Sequence, residues 1–366
     1  MAEDGVVKKE KPASSAKDFL AEVLGEEALA GKLLSPSAIL ELMDLVAGRI
    51  AFAFAEGPCT TVSFDRVDIL VPICHGDLVR VEGQVVLVGS SSITIHVEAK
   101  KHDFNLRKFK TVAYSYITYV AIDPKTLRPN KNIPTLKVEN ENEMKMMESA
   151  KRRKELSVRW VAAQKAAASE GAMPTASALA ETEKGLSRRE YLTVNETEVV
   201  VRKQMLPRHN NHLNIIFGGD VLRWMLGVAQ VTAKRFTGNT HMIVISMNRI
   251  DFRQTIKPEH VVEMHARVVS VRNTTIEVEI EAFVDKIMDG LGIVTSHSGY
   301  FTVLNVDEIG FRRPVQVGLN HTDDDQDALQ RCAKAIARRD FDERIEVSRD
   351  VKSDKFFLEG FPVSGS

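Results

Sequence analysis

The chain carries the stretch SFDRVDILVPICHGDLVRVEGQVVLVGSSSITIHVEA at residues 63–99 and a second version of it, SMNRIDFRQTIKPEHVVEMHARVVSVRNTTIEVEIEA, at residues 246–282. The two versions align without gaps when Asp68 is placed on Asp251, a shift of 251 − 68 = 183 residues. In both, apolar residues alternate with polar ones, which is the period of a strand with one buried and one wet face. The repeat therefore predicts two copies of one antiparallel sheet.

Each copy of the sheet is preceded by a segment with apolar residues at helical spacing. The same shift places SPSAILELMDLVAGRIAFAF, residues 35–54, on GGDVLRWMLGVAQVTAKRF, residues 218–236. A helix followed by about four long antiparallel strands predicts a sheet curled around a central helix, which makes the fold class α+β. We place the first such domain at residues 15–136 and the second at residues 191–318.

Three further segments lie around or between the two domains. Residues 1–14 mix acids with bases and are predicted to form a disordered tail, and the first domain is predicted to open on a helical stretch, SSAKDFLAEVLGEEALAGKLL, at residues 14–34. Residues 137–190 predict a helical linker that ends in a connector rich in Ala, Ser and Thr. Residues 319–366 predict a C-terminal helical tail, because they begin with acids, continue into bases and carry an apolar stripe.

Composition limits the classes of function. Lys plus Arg number 49 and Asp plus Glu 50, so no global charge argues for nucleic acid as a partner. The three cysteines are scattered and the histidines show no ligand spacing, which predicts neither a disulfide framework nor a metal site. No stretch reaches the roughly 18 to 20 apolar residues of a membrane span. The opening residues lack the Arg-rich, acid-poor character of a transit peptide, so we expect a cytoplasmic protein, with mitochondria as the alternative.

The segment HNNHLNIIFGGDVLRWM, residues 209–225, is the first candidate for chemistry. Gly218 and Gly219 at a helix start would present unhindered N–H groups, with the positive end of the helix dipole behind them. Such amides can hold the oxygen of a thioester carbonyl as it gains charge, an effect of roughly 3 to 4 kcal/mol per donor. The alternative is that the two glycines only allow close packing of helix and sheet.

The repeat favours the chemical interpretation of the glycine pair. At the equivalent place the first domain has Ser35 and Pro36, and a proline has no N–H to offer. Conversely, Asp44 lies midway along the apolar first helix, where an unpaired carboxylate is costly, and its counterpart is Gly227. Each half lacks what the other keeps, which predicts one composite site where Asp44 faces the glycine pair. The alternative for Asp44 is a salt-bridged or surface position.

The helix motifs LNIIFGGDVLRWM and LELMDLVAG resemble those of the tandem hot-dog acyl-CoA thioester hydrolases, and the strand motif that begins VSFDRVDILVP is similar to the same family. The resemblance spans roughly residues 35–123 and 195–306, and NNHLNIIFGG is most similar to the acyl-CoA thioesterase 9 branch. It implies two fused hot-dog domains that hydrolyse fatty acyl-CoA to free fatty acid and CoA. It also implies no cofactor besides the CoA of the substrate, and a homo-oligomer, a trimer of the tandem unit.

The resemblance further implies roles for individual residues. Asp44 would act as general base or nucleophile, and Gly218 and Gly219 would form the turn that binds the carbonyl, with Phe217 as a substrate contact. Arg66 and Arg249, one in each repeat, are candidates for the CoA phosphates. The lysines and arginine of the first domain's hairpin are alternative phosphate ligands, namely Lys100, Lys101, Arg107, Lys108 and Lys110. Solvated strand edges that block sheet aggregation are the other explanation for these cations.

One position departs from the family pattern. The family's asparagine, which orients water or substrate, stands two residues before the phenylalanine, where this chain has Ile215. Asn214 or Asn211 would have to replace it by a local shift of the loop. Because isoleucine cannot orient water, a catalytically weak or inactive scaffold subunit of a larger assembly is an alternative function. A hot-dog dehydratase is a third hypothesis and would use His209 or His212 as its base.

Overall fold

The computed structural model describes residues 9–25, 28–30, 33–126, 128–169, 171–182, 185–211, 214–286 and 290–347. Its helices are α1 (Ser37–Ala55), α2 (Glu141–Ala167), α3 (Ala176–Glu181), α4 (Gly218–Thr237) and α5 (Gln326–Val347). The strands before α2 are β1 (Glu10–Pro12), β2 (Lys17–Val23), β3 (Ala28–Ala30), β4 (Leu33–Leu34), β5 (Cys59–Phe64), β6 (Val67–Asp68), β7 (Leu78–Val88), β8 (Ser92–Asp103), β9 (Lys108–Ala121) and β10 (Thr135–Lys137). The strands after α3 are β11 (Glu190–Thr193), β12 (Val199–Gln204), β13 (Met242–Met247), β14 (Ile250–Asp251), β15 (Val261–Val271), β16 (Thr275–Lys286), β17 (Gly292–Asn305) and β18 (Val317–Asn320).

Two six-stranded antiparallel sheets dominate the chain. The first sheet has the order β14-β5-β9-β8-β7-β2, and the second has the order β12-β15-β16-β17-β13-β6. Alternation along the strands sets the faces of each sheet. In β8, for example, Ile93, Ile95 and Val97 are buried, whereas the intervening Thr94 and His96 are partly exposed. The buried face of each sheet packs on a helix, because a half-apolar sheet must cover one side.

The two sheets exchange one short strand each. Chain from the first half enters the second sheet as β6 beside β13, and chain from the second half enters the first sheet as β14 beside β5. The register is symmetric under the 183-residue shift, since Ser63 pairs with Asp251 and Ser246 pairs with Asp68. The repeat seen in the sequence is therefore also a twofold relation in the structure.

The helices α1 and α4 fill the concave sides of the two sheets and contact each other. Helix α1 packs on β7 and β8 and buries side chains such as Met43 and Phe54, while α4 packs on β15 and β16 and buries Leu222 and Met225. Contact between the helices brings the start of α4 against the middle of α1. The seam between the two halves therefore runs between the helices.

Helices α2 and α5 cover the outer, polar faces of the sheets. Along its 27 residues α2 reaches from Met146, near β7 and β8, to Trp160, whose ring meets Tyr300 of β17 edge-on at 6.0 Å. Helix α5 lies on the outer face of the second sheet, where Arg331 pairs with Glu279. None of the helices in the described ranges is long and apolar enough to cross a membrane.

The start of the first domain differs from the prediction in two ways. Residues 10–12 form β1, which pairs in parallel with β10, so the predicted disordered tail cannot extend to residue 14. The helix predicted at residues 14–34 is wrong, since β2 pairs with β7 along its whole length and completes the sheet edge. The local spacing of apolar residues suits a helix, but pairing with an open sheet edge overrides it. Residues 1–8 and 348–366 lie outside the described residues.

Candidate active site

Asp44 lies on the buried side of α1 and is fully shielded from solvent, with an exposed fraction of 0%. Two hydroxyl groups from the first sheet contact its carboxylate. The Tyr119 hydroxyl is 2.6 Å from Oδ1 and 2.8 Å from the backbone carbonyl of Asp44, and the Thr61 hydroxyl is 3.2 Å from Oδ1. Strands β5 and β9 hold these two groups side by side, since Thr61 and Tyr119 are paired residues in the ladder. One carboxylate oxygen is therefore fixed in place.

The start of α4 lies directly against this carboxylate. Its N-cap residue, Phe217, is extended and makes no side-chain cap, so the first N–H groups of the helix are not covered by their own N-cap side chain. A Cβ on Gly218 would stand 2.9 Å from Asp44 Oδ2 and 3.3 Å from Thr61 Oγ1, and a Cβ on Gly219 would stand 2.5 Å from the Phe217 ring. Both positions therefore require glycine for close approach. The structure thus brings Asp44 of one half together with Gly218 and Gly219 of the other.

The electrostatics of Asp44 result from opposing influences. Burial raises the pKa of its carboxyl from 3.8 to about 6, because the charged form loses water, and Asp220 raises it slightly further. The hydroxyls of Tyr119 and Thr61 lower the pKa of Asp44, and so does the N–H of Gly219, which acts on the carboxylate but falls short of a full hydrogen bond. Oδ2 is buried and has no hydrogen-bond partner. Asp44 is thus mostly ionised at neutral pH, with one oxygen available.

The equivalent place in the other half has none of these features. Gly227 stands where the repeat would need the acid and is exposed, and a Cβ at this position would meet no atom within 4 Å beyond its own stretch of helix. At the start of α1, Pro36 stands in place of Gly219 and has no N–H to donate, and the N–H of Ser37 donates to Ser35 Oγ at 3.3 Å. One of the two symmetric places therefore holds a buried carboxylate next to open amides, and the other holds neither.

Thr61 and Tyr119 are missing from the residues proposed from sequence. Their structural counterparts in the second half are Val244 and Val303, which pair with each other in β13 and β17 as Thr61 and Tyr119 do in β5 and β9. Two polar residues of the first sheet thus occupy the positions that two valines occupy in the second sheet. In both sheets these positions lie on the side that packs on the helix. For Thr61 this contrast was a usable signal, because the 183-residue shift places Thr61 on Val244 just as it places Asp44 on Gly227.

The asparagines of the loop before α4 bond mainly within that loop. Asn214 is exposed, has a left-handed backbone with φ of 58°, and accepts a hydrogen bond on Oδ1 from the Asn210 amide. Asn211 accepts on Oδ1 from the N–H of Ile215 at 3.3 Å. The proposed role of Asn211 or Asn214 in orienting water stays a prediction. His209 is buried and its ring accepts from the N–H of Leu206, while His212 lies outside the described residues.

Arg66 and Arg249, proposed for the CoA phosphates, form ion pairs with protein carboxylates. Arg66 Nη2 is 2.8 Å from Asp68 Oδ1, and Arg66 also pairs with Asp342 of α5. Arg249 Nε is 2.8 Å from Asp251 Oδ1. Both arginines line one small cavity beside α2 and α5. Both arginines are thus engaged in ion pairs beside α2 and α5, and their contact with phosphate stays a prediction. Within the described ranges no cluster of three or more His, Cys, Asp or Glu side chains could hold a metal ion.

The fold and the seam together define a double hot-dog protein, as the resemblance implied. A family model described as the thioesterase superfamily matches residues 31–106 and 213–291. An uncharacterized acyl-CoA thioester hydrolase of Buchnera aphidicola subsp. Baizongia pistaciae is 33% identical over 98 residues, which are 25% of this chain and 73% of that protein. The chain belongs to the thioesterase superfamily.

Two longer matches cover both halves. The cytosolic acyl coenzyme A thioester hydrolase of Mus musculus is 19% identical over 266 residues, 72% of this chain, and the match spans only 65% of that protein. A crystal structure of a putative oleoyl thioesterase from Lactobacillus plantarum covers 81% of this chain and 99% of its own, with a TM-score of 0.51 and 9% identity. At that identity the second match supports the fold alone. Both agree with the predicted α+β class of two fused hot-dog domains, which is confirmed.

Proposed function

We propose that this chain hydrolyses fatty acyl-CoA thioesters to free fatty acid and CoA, at one composite site between its two halves. The observation that carries the proposal is Asp44 Oδ2, a buried carboxylate oxygen without a hydrogen-bond partner, beside Gly218 at the open start of a helix. A lone buried acid is costly to the fold, so its retention on an apolar helix favours a chemical role. The acyl-CoA thioester hydrolases among its relatives support the same substrate class.

Two steps of chemistry suit this geometry. The thioester carbonyl oxygen is held by the N–H groups of Gly218 and Gly219, which stabilise the oxyanion as attack proceeds. Asp44 either removes a proton from the attacking water or attacks the carbonyl carbon itself and is then released by water. In both routes the carbon–sulfur bond breaks and the CoA thiolate leaves, taking up a proton. A thiolate is a good leaving group, so no cofactor is required by this scheme.

Thr61 supplies a polar group in place of the asparagine that the family has and that this chain replaces with Ile215. Thr61 is partly exposed, and its hydroxyl lies between Asp44 Oδ1 and the start of α4. A hydroxyl can both donate and accept, so it can orient a water molecule or the thioester. We therefore include Thr61 as an orienting residue, beside the earlier candidates Asn211 and Asn214.

Other parts of the proposal rest on the family resemblance. We place the chain near the acyl-CoA thioesterase 9 branch, in the cytoplasm, as a trimer of the tandem unit. Phe217 is proposed as a substrate contact, since its ring packs on Gly219 beside the carbonyl-binding turn. The domain division at residues 15–136 and 191–318 belongs to the same proposal.

The test is release of free thiol from acyl-CoA of several chain lengths by the purified full chain. We expect turnover on medium or long chains, and a loss of at least about 100-fold in Asp44→Asn, the range found when a positioned base is removed. Glu41→Gln is the matched control, because Glu41 lies on the same helix but pairs with Arg223 at 3.0 Å. It should keep full activity.

The alternative functions predict other results. An inactive scaffold would release no thiol at any chain length and would be unaffected by either substitution. A dehydratase would leave the thioester intact and change the absorbance of a hydroxyacyl-CoA instead. Activity that survives in Asp44→Asn would reject the proposed site.

A further inference from the structure

The hairpin that joins β8 to β9 ends in an exposed apolar turn. We define the hairpin tip as residues 102–110, with the sequence HDFNLRKFK. Three of its apolar side chains are exposed, with fractions of 67% for Phe104, 67% for Leu106 and 41% for Phe109. Apolar side chains that cluster on a protruding surface often mark an interaction site.

The hairpin tip is built so that these side chains stay outward. The turn is closed by Asp103, whose Oδ1 accepts hydrogen bonds from the N–H groups of Asn105 and Leu106, both at 3.0 Å. The His102 ring supports the aromatic residues edge-on, with centroids 4.7 Å from Phe104 and 5.2 Å from Phe109. The apolar cluster is therefore a defined surface.

The charge of the hairpin is strongly positive. Residues 100–110 contain five Lys or Arg residues and one acid. The acid is Asp103, which accepts hydrogen bonds within the turn. Lys100 pairs with Glu82 and Glu98, and Lys101 pairs with Asp77, so these two cations belong to the body of the sheet. Among the cations of the hairpin tip, Arg107 and Lys108 are exposed. Two exposed cations thus lie in the same turn as three exposed apolar side chains.

We propose that the hairpin tip docks this protein onto anionic phospholipid bilayers, with Phe104, Leu106 and Phe109 inserted at the headgroup level. Aromatic and leucine side chains beside lysine and arginine are the combination that binds such an interface. Each cation near an anionic surface strengthens binding by about 1 kcal/mol, or roughly fivefold.

A bilayer suits this surface better than a protein partner does. A stable protein interface buries about 1,200 to 2,000 Å² in total, and three side chains on a narrow turn supply only a small part of that. A bilayer needs no complementary shape, and shallow insertion with charge attraction is sufficient. Docking would also bring the chain to the surface where long acyl chains partition, although the inference does not depend on hydrolysis.

The second half offers a matched control. Its equivalent hairpin, between β16 and β17, also exposes two apolar side chains, Leu291 at 65% and Ile293 at 70%. Residues 287–293 read IMDGLGI and contain no Lys or Arg. Substitutions there remove similar apolar area without the surrounding positive charge.

The experiment is co-sedimentation of the full chain with large vesicles of phosphatidylcholine, or of phosphatidylcholine with about one third phosphatidylserine, at low salt. We expect binding only to the second kind, lost by at least about tenfold in the Phe104→Ser/Leu106→Ser variant and weakened by salt. Leu291→Ser/Ile293→Ser should bind as the wild type does. Hydrolysis of a short, soluble acyl-CoA should be unchanged in all of these variants, which separates this inference from the proposed function.

Several results would overturn the inference. These are absence of vesicle binding by the wild type, equal binding to both lipid compositions, and equal loss in the two variants. Analytical ultracentrifugation distinguishes a second copy as the partner. If Phe104→Ser/Leu106→Ser lowers the mass of the assembly while vesicles are not bound, the hairpin tip is a contact between copies and the lipid proposal is wrong.

Discussion

Asp44 is kept available for ionisation by two hydroxyl groups and a helix start, against the effect of its burial. The raised pKa, about 6, lies closer to neutral pH than that of an exposed carboxyl. A base of that strength is still ionised at pH 7 yet takes a proton more readily, which is the compromise that general base catalysis favours.

The rate should depend on the ionisation of Asp44. Because only the ionised form can act, we expect kcat/KM to fall as pH drops through about 6. Tyr119→Phe removes a hydrogen bond that lowers this pKa, so the falling limb should move to higher pH. The measurement is thiol release over about pH 5 to 9. Tyr116→Phe, on the outer face of the same strand, should leave the limb in place, and an unmoved limb in Tyr119→Phe would contradict the assignment.

Asp44 should also reduce stability at neutral pH. Its pKa is higher in the folded state than in the unfolded one, so the native state binds more protons between about pH 4 and 6, and stability falls as pH rises through this window. A change from 3.8 to about 6 corresponds to about 3 kcal/mol. Asp44→Asn should therefore raise the free energy of unfolding at pH 8 by up to about 3 kcal/mol, and by little near pH 4. Urea titrations at both pH values test this, and a variant less stable at pH 8 would refute it.

From the sequence we predicted that Asp44 and the glycine pair lie together, but not which residues contact the Asp44 carboxylate. The acid and the glycine pair are visible in the sequence, because Asp44 and Pro36 differ from the residues that the 183-residue shift places on them. Tyr119 is hidden, since the same shift places it on Thr302, another polar residue. The second half has one extra residue before this strand, and the true partner is Val303, which only the strand register reveals.

Two of the three glycines of helix α4, Gly218 and Gly227, have opposite requirements. Gly218 has no room for a side chain, whereas Gly227 is exposed and its missing Cβ would have nothing within 4 Å. Glycine in a helix interior costs about 1 kcal/mol relative to alanine. The same substitution should therefore act differently at the start and in the middle of one helix.

Gly227→Ala should raise the free energy of unfolding by about 0.5 to 1 kcal/mol with unchanged thiol release. Gly218→Ala should lower kcat by about 100-fold or more, because the new methyl displaces Asp44 or the carbonyl-binding amides. Urea unfolding and thiol release, measured on both variants, provide the comparison. Normal turnover in Gly218→Ala would show that the start of α4 does not bind the carbonyl.

Elements with a strong internal pattern were predictable, and an edge element was not. The strands β8 and β16 alternate over most of their length, and α1 and α4 carry apolar residues around most of their surface, so period alone identifies them. Strand β2 has the local sequence KDFLAEV, which suits a helix equally well. Its conformation is decided by the unpaired edge of β7, a partner about 60 residues away in sequence.

The linker and tail helices tie the two halves into one body. Arg338 of α5 has an exposed fraction of 0%, pairs with Glu277 of β16, donates to Gln164 of α2 at 2.9 Å, and stacks on Tyr300 at 3.6 Å. A buried cation is tolerated only with such complete partners.

Removing one member of this cluster should destabilise the whole chain. Arg338→Ala leaves the Glu277 carboxylate without its cation, which should lower the free energy of unfolding by about 3 to 5 kcal/mol. The double variant Arg338→Ala/Glu277→Gln should recover part of that loss, because the uncompensated charge is gone. Equilibrium denaturation of the single and double variants measures the coupling. Purely additive losses would mean that the cluster acts through packing alone.

The exchanged strands β6 and β14 restrict how this molecule can move. Each half contributes a short strand to the sheet of the other half. Separating the two halves would therefore break main-chain hydrogen bonds in both sheets at once. We therefore expect substrate to enter and product to leave without separation of the two halves.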